Sequence, residues 1–138
     1  MGGSAGLRLL LDTHVWIWGQ LHPDRIRPQV GEALQAMESE LWLSPISVWE
    51  ALLLIERGKI EVDVEAPLWI RDALATTPMR EATLNHEVAI RSRTIDLPHR
   101  DPADRFLAAT AEIYELTLVT EDERLLTGKS WSVLSNRA

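Results

Sequence analysis

Short apolar runs that stop abruptly on polar residues recur along this chain, with helical periodicity between them. Residues 7–11 (Leu-Arg-Leu-Leu-Leu) stop at Asp12-Thr13. Residues 41–43 (Leu-Trp-Leu) stop at Ser44-Pro45, and 116–120 (Leu-Thr-Leu-Val-Thr) run into Glu121-Asp122. Runs so short and so continuously apolar suit strands buried on both faces, and strands that alternate with helices build a parallel sheet. The pattern predicts helices over 13–21, 29–39, 47–59, 67–76, 85–96, 102–115 and 122–126, with further strands at 80–84 and 132–134. Pro23 and Pro28 separate the first two helices, and Gly58 closes the third. The expected fold is α/β with a mainly parallel central sheet.

No repeat or low-complexity tract divides the 138 residues, so a single domain over 7–138 is expected behind a flexible leader at 1–6. The absence of cysteine excludes disulfides, zinc–thiolate sites and thiol nucleophiles, and fits a reducing cytoplasm. No apolar run approaches the ~20 residues that span a bilayer, and residues 1–6 lack the features of a signal peptide. A net charge of −7 opposes any broad coating of polyphosphate. It leaves room for an enzyme that meets one phosphate through a metal and a few arginines, and twelve of the fourteen basic residues are arginine.

In open parallel sheets ligands bind beyond the carboxyl ends of the strands. Asp12 directly follows the first strand, and Asp122 lies just beyond 116–120. Glu50 and Asp104 lie early in helices that follow loops at the same kind of junction, with Leu53 and Leu54, or Leu107 and Ala108, three and four residues on. A carboxylate on a core-facing stripe is costly unless it is paired or bound to metal. Converging carboxylates raise one another's pKa, and a hard cation such as Mg²⁺ or Mn²⁺ reverses that penalty.

Capping competes for the same residues. Ser47-x-x-Glu50 and Thr120-x-x-Glu123 both match a capping box, Asp101-Pro102 is a good helix start, and Asp12 or Thr13 can cap the first helix. Capping accounts for each acid singly, but not for four at sheet-end junctions. Other chemistries lack their residues: there is no P-loop, no dinucleotide fingerprint, no zinc spacing among His14, His22, His86 and His99, and no nucleophile elbow. His99 and Arg100, beside Asp101, could touch substrate, but solvated loop residues are the first reading of both. Trp16 and Trp18, two apart on a helix, cannot share a face, so one of them should leave the core. Trp42, Trp49 and Trp69 read as core, and Trp131 carries no signal.

Taken together, residues 9–16 (Leu-Leu-Leu-Asp-Thr-His-Val-Trp), 44–50 (Ser-Pro-Ile-Ser-Val-Trp-Glu), 99–111 (His-Arg-Asp-Pro-Ala-Asp-Arg-Phe-Leu-Ala-Ala-Thr-Ala) and 118–122 (Leu-Val-Thr-Glu-Asp) resemble a PIN domain. The nearest likeness is to the VapC-type toxins of toxin–antitoxin pairs. The resemblance runs from Leu7 to about Leu134. It implies a three-layer α/β/α fold and a Mg²⁺- or Mn²⁺-dependent endoribonuclease, with Asp12, Glu50, Asp104 and Asp122 at the metal. It also implies Thr120 as a polar neighbour orienting a ligand or water, Asp101 as an additional acid acting mainly as a cap, a homodimer, and a small cognate antitoxin. Two rival readings have different chemistry. A receiver-like phosphoacceptor needs paired acids after the first strand and a lysine ending the last, whereas Asp12 is followed by Thr13-His14 and Lys129 precedes the last strand. A non-catalytic binding module would use the acids as caps and the six tryptophans as an interface.

Overall fold

The computed structural model describes residues 7–137; the leader expected at 1–6 lies outside the described residues. Five strands form one sheet: β1 (Arg8–Leu11), β2 (Glu40–Leu43), β3 (Arg80–Glu81), β4 (Thr117–Thr120) and β5 (Ser132–Ser135). Their spatial order is β3-β2-β1-β4-β5, and every pairing is parallel. Among the described residues seven α-helices connect them: α1 (Thr13–Leu21), α2 (Pro28–Gln35), α3 (Pro45–Glu56), α4 (Ala66–Thr76), α5 (His86–Thr94), α6 (Pro102–Ile113) and α7 (Glu123–Leu126).

The strands alternate their side chains between two cores, which makes the fold three-layered. Leu9 and Leu11 of β1 and Val119 of β4 pack with Val15, Trp16, Ile17, Val30, Ala51 and Ile70 from α1–α4. Leu10 and Leu118 face the other way, onto Val88, Leu107, Ala108, Ala111 and Leu125 from α5–α7. With a helix layer on each side, Leu9 and Leu10 are fully buried and Leu11 is nearly so. That explains why β1 reads as an unbroken apolar run rather than an alternating one.

Most elements stand where periodicity put them, with shifted ends. The expected 80–84 strand narrows to Arg80–Glu81 at the sheet edge, although the Ala82 amide still donates to Leu43 O at 2.9 Å. Ser44, not Ser47, caps α3, its side chain accepting from the Ile46 amide, so the helix starts at Pro45 and the Ser47-x-x-Glu50 capping box does not form. The helix ends at Glu56, followed by Gly58 at φ 71°, a left-handed conformation that favours glycine. Helix α6 stops at Ile113, and Glu115 takes φ 56° to turn the chain into β4.

The tryptophans divide differently from expectation. Trp16 is 1% exposed and packs on Trp69 at 6.2 Å between ring centroids, whereas Trp18 is only half-buried. One of the pair leaves the core as expected, and Trp16 is too deep to act as an interface anchor. Trp49, expected in the core, is 53% exposed, because the buried line of α3 runs through Ser47 and Ala51 instead. Trp42 and Trp69 are half-buried against the two cores. Trp131 is buried over Gly128, where a Cβ would enter its ring, and donates from Nε1 to Leu125 O at 3.1 Å.

Candidate active site

The strand order reverses direction at β1: the chain moves outward through β2 and β3, then returns to the other side of β1 with β4. This switch point leaves a crevice beyond the carboxyl ends of β1 and β4. A cleft of about 380 Å³ opens there, and Asp12, Glu50, Asp101, Asp104, Glu121 and Asp122 all line it, with His14 and Arg124.

Asp12 leaves the end of β1 and caps α1. Its Oδ1 accepts from the Thr13 amide at 2.7 Å and its Oδ2 from Thr120 Oγ1 at 2.6 Å. Burial pushes its carboxyl above the usual range, against the pull of those two donors. Glu50 reaches in from α3, one turn beyond the buried Ser47. Thr13 Oγ1 donates to Glu50 Oε1 at 2.6 Å, and Ser47 Oγ stands 3.0 Å from the same hydroxyl. Partial burial raises the Glu50 carboxyl as well, helped by Asp12 and Asp101. Asp122 caps α7, accepting from the Arg124 amide at 2.9 Å and from the Arg124 guanidinium at 3.2 and 3.3 Å. Burial pushes it up, but the bonds and charge of Arg124 outweigh that and hold it below the usual range.

Asp104 differs from the other three. It is 8% exposed in the first turn of α6, yet it accepts no hydrogen bond among the described residues. The nearest nitrogens that could serve it are His99 Nε2 at 3.5 Å and the Arg124 guanidinium Nη2 at 3.9 Å. Burial, then the charges of Asp101, Asp12, Asp122 and Glu50, push its carboxyl up to about 8. A nearly buried acid with acids around it and no donor is what a bound cation would stabilise.

The donors in this cleft are carboxylate oxygens without sulfur, a set that suits a hard divalent ion such as Mg²⁺ or Mn²⁺. Among the described residues no three acids or histidines already stand at metal-ligand spacing. Thr120, Thr13 and Arg124 hold Asp12, Glu50 and Asp122 on separate walls of the cleft, so a bound ion would draw them inward or keep water between itself and some of them. Asp101, exposed at the rim, caps α6 by accepting from the Ala103 amide at 3.0 Å, as its Asp-Pro sequence implies. Thr120 does not form a capping box with Glu123: its Oγ1 accepts from the Asp122 amide at 3.0 Å while donating to Asp12.

Several neighbours escaped the sequence reading. Glu121 accepts from Trp18 Nε1 and from Asn136 Nδ2, both at 3.2 Å, tying the cleft wall to α1 and the end of β5. Arg124 was detectable as a cation two residues after Asp122 in a first helical turn. Arg105 sends its guanidinium to the carbonyls of Ser92, Ile95, Leu97 and His99 at 2.7–3.1 Å, fixing the α5–α6 connection that carries His99 and Asp101. His99, expected in solvent, is instead largely enclosed. Both of its ring nitrogens are buried without a hydrogen bond, and burial and nearby Arg124 lower its pKa, partly offset by Asp122 and Asp101. Arg100 is exposed, as expected. Lys129 is exposed and is not among the residues that line the cleft, where the guanidinium of Arg124 stands instead.

The chain is thus a parallel three-layer α/β domain with its carboxylates gathered at the β1/β4 switch point, where open α/β sheets bind ligands. The chain belongs to the PIN domain family, whose sequence pattern is matched by residues 9–127. It is 29% identical over 120 residues to Ribonuclease VapC22 of Mycobacterium tuberculosis, covering 85% of this chain and 88% of that relative. Its fold is similar to the VapBC2 complex of Rickettsia felis bound to a promoter DNA fragment, at a TM-score of 0.70 and 13% identity over 94% of this chain and 98% of that one. A toxin–antitoxin complex from Klebsiella pneumoniae matches at 0.67 and 21%, with the same coverage.

Proposed function

We propose that this chain is a divalent-metal-dependent endoribonuclease, the toxin of a toxin–antitoxin pair. The observation that carries the reading is the convergence of Asp12, Glu50, Asp104 and Asp122 on one cleft, with Asp104 nearly buried and without a donor. The relative named a ribonuclease and the toxin–antitoxin complexes of like fold support the same reading.

Asp12, Glu50, Asp104 and Asp122 would hold Mg²⁺ or Mn²⁺, with Asp101 acting from the rim through water. When bound, such an ion supplies positive charge that activates water and stabilises charge developing on a phosphodiester. Thr120 and Thr13 fix the carboxylate rotamers of Asp12 and Glu50 through short hydrogen bonds. Arg124, held by Asp122, presents its remaining N–H donors to a phosphate oxygen. In-line attack by water breaks the P–O3′ bond, leaving a 5′-phosphate and a 3′-hydroxyl. The full assignment includes a homodimer, a small cognate antitoxin and action in the cytoplasm. The exposed Trp49 and half-buried Trp18 offer aromatic contact surface for such partners. No helix among the described residues is long and apolar enough to cross a membrane.

The test is incubation of the purified chain, free of any partner, with structured RNA in Mg²⁺, Mn²⁺ or EDTA, followed by end-group analysis. Cleavage in metal alone with 5′-phosphate products is expected. Cleavage that persists in EDTA and leaves cyclic phosphate would mean that the 2′-hydroxyl is the nucleophile, and would overturn the proposal.

A further inference from the structure

The outer face of α1 and the residue that ends it carry a ladder of rings at intervals of four residues, His14, Trp18 and His22. The His14–Trp18 centroids are 5.8 Å apart and the Trp18–His22 centroids 5.7 Å. The ladder starts in the acid cleft, where His14 is part of the wall, and Trp18 is tied to that wall through Glu121. Its far end enters a separate cavity of about 400 Å³, lined by Trp18, Leu21, His22, Arg25, Lys59, Ile60 and Glu61. Eight residues of helix separate the two ends by about 12 Å.

Arg25 is the central cation of that cavity. Its guanidinium lies 4.1 Å from the centroid of the Trp18 ring, a cation–π arrangement that orients the plane and leaves the N–H edges free. Neither Arg25 nor Lys59 has an acid partner within ion-pair distance among the described residues, and both are exposed. Glu61 is the one acid in the cavity lining, so the two cations outnumber it. In a chain of net charge −7, a cationic cavity joined to the acid cleft by aromatic rings has the composition of a single-strand track, in which rings meet bases and cations meet phosphates.

We infer that α1 guides the RNA strand away from the cleft, with Arg25 and Lys59 holding backbone phosphates near the scissile one and the exposed His22 ring lying against the intervening base. This rests on the ribonuclease reading for the identity of the strand, but assigns the grip to residues outside the catalytic cleft. Arg25 and Lys59 are binding residues, and Trp18 is a positioning residue that holds Arg25.

The test compares wild type with Arg25→Gln, Lys59→Gln, the double variant and Trp18→Phe. Affinity for a fluorescein-labelled single-stranded oligoribonucleotide is read by anisotropy in EDTA over a range of salt, and cleavage kinetics are followed in Mg²⁺. The double variant should bind about tenfold more weakly. Its salt slope should fall by about 1.4, the release expected for two phosphates on a single strand. KM should rise similarly while kcat stays within about twofold, and Trp18→Phe, which keeps a ring beneath Arg25 but loses the Nε1 bond to Glu121, should bind between wild type and the double variant. Unchanged affinity and salt slope in the double variant would overturn the track, even if wild type cleaves RNA. Loss of binding to a protein partner with RNA binding intact would overturn it equally, and reassign the cavity to that partner. A wild type that binds RNA through Arg25 and Lys59 but cuts nothing would sink the nuclease reading and leave the track standing.

Discussion

Thr120 donates its hydroxyl to Asp12 Oδ2 across 2.6 Å, joining the carboxyl ends of β4 and β1 over 108 residues of sequence. The same oxygen accepts from the Asp122 amide, so one buried threonine sets both the Asp12 rotamer and the start of the turn that carries Asp122. Thr120→Val keeps the shape and leaves an acid oxygen and an amide unpaired, which costs about 1–3 kcal/mol. Thr120→Ser should retain most of the stability and of any metal-supported activity, whereas the valine variant should lose activity beyond its loss in Tm. Equal activity in the valine and serine variants would show that the hydroxyl is not needed to orient Asp12.

Asp104 gives the metal-free protein a pH dependence of definite sign. Its carboxyl is raised from 3.8 to about 8 on folding, so the folded state holds a proton that the unfolded chain has released. The stability it contributes is fully present below about pH 4 and is lost as pH rises through about 8. Asp12 and Glu50 shift in the same direction, and Asp122 in the other. Urea unfolding in EDTA should show stability falling between pH 5 and 8.5, with the fall reduced in Asp104→Asn. A variant as steep as wild type would place the buried proton elsewhere.

Isosteric amides separate a metal site from helix caps. Asparagine caps about as well as aspartate, so Asp12→Asn, Asp104→Asn and Asp122→Asn, together with Glu50→Gln, should fold. Without metal, Asp12→Asn, Glu50→Gln and Asp104→Asn should be as stable as wild type or slightly more so near neutral pH, because folding raises each of those carboxyls, whereas Asp122→Asn gives up its charge-assisted bonds to Arg124 and should be slightly less stable. The rise in Tm on adding Mg²⁺ or Mn²⁺ follows binding to the native state, and should shrink in each variant. Retention of the full wild-type shift in all four would remove the physical basis of the metal assignment.

Arg105 donates to four carbonyls at the end of α5 and in the loop after it, and thereby fixes the segment leading to Asp101. Arg105→Ala strands those carbonyls and should cost at least about 2 kcal/mol. Arg105→Lys offers a point charge in place of a planar fork and should recover only part of it. Hydrogen exchange of residues 95–101 should accelerate in both variants. Unchanged exchange there would mean that the loop is held by its other contacts.

The sequence by itself determined the layered α/β character, the strands that end at Asp12 and before Asp122, and the four acids worth testing. Those signals are local: an apolar run buried on both faces, a helical period, an acid at a junction. Only the tertiary structure decided that the capping acids Asp12, Asp101 and Asp122 also face a cleft shared with Glu50 and Asp104. Ser44 rather than Ser47 caps α3, which frees Glu50 to meet Thr13 from another element. Nothing local distinguishes Trp16 from Trp49, since burial depends on which face of each helix the sheet covers. Glu121 became part of the site because the strand order sets β4 beside β1, and His99 because Arg105 folds the α5–α6 connection back over Asp104, pairings that local periodicity does not encode. A helix or strand is specified by neighbours a few residues away, whereas a cleft at a switch point exists only once distant strands have paired.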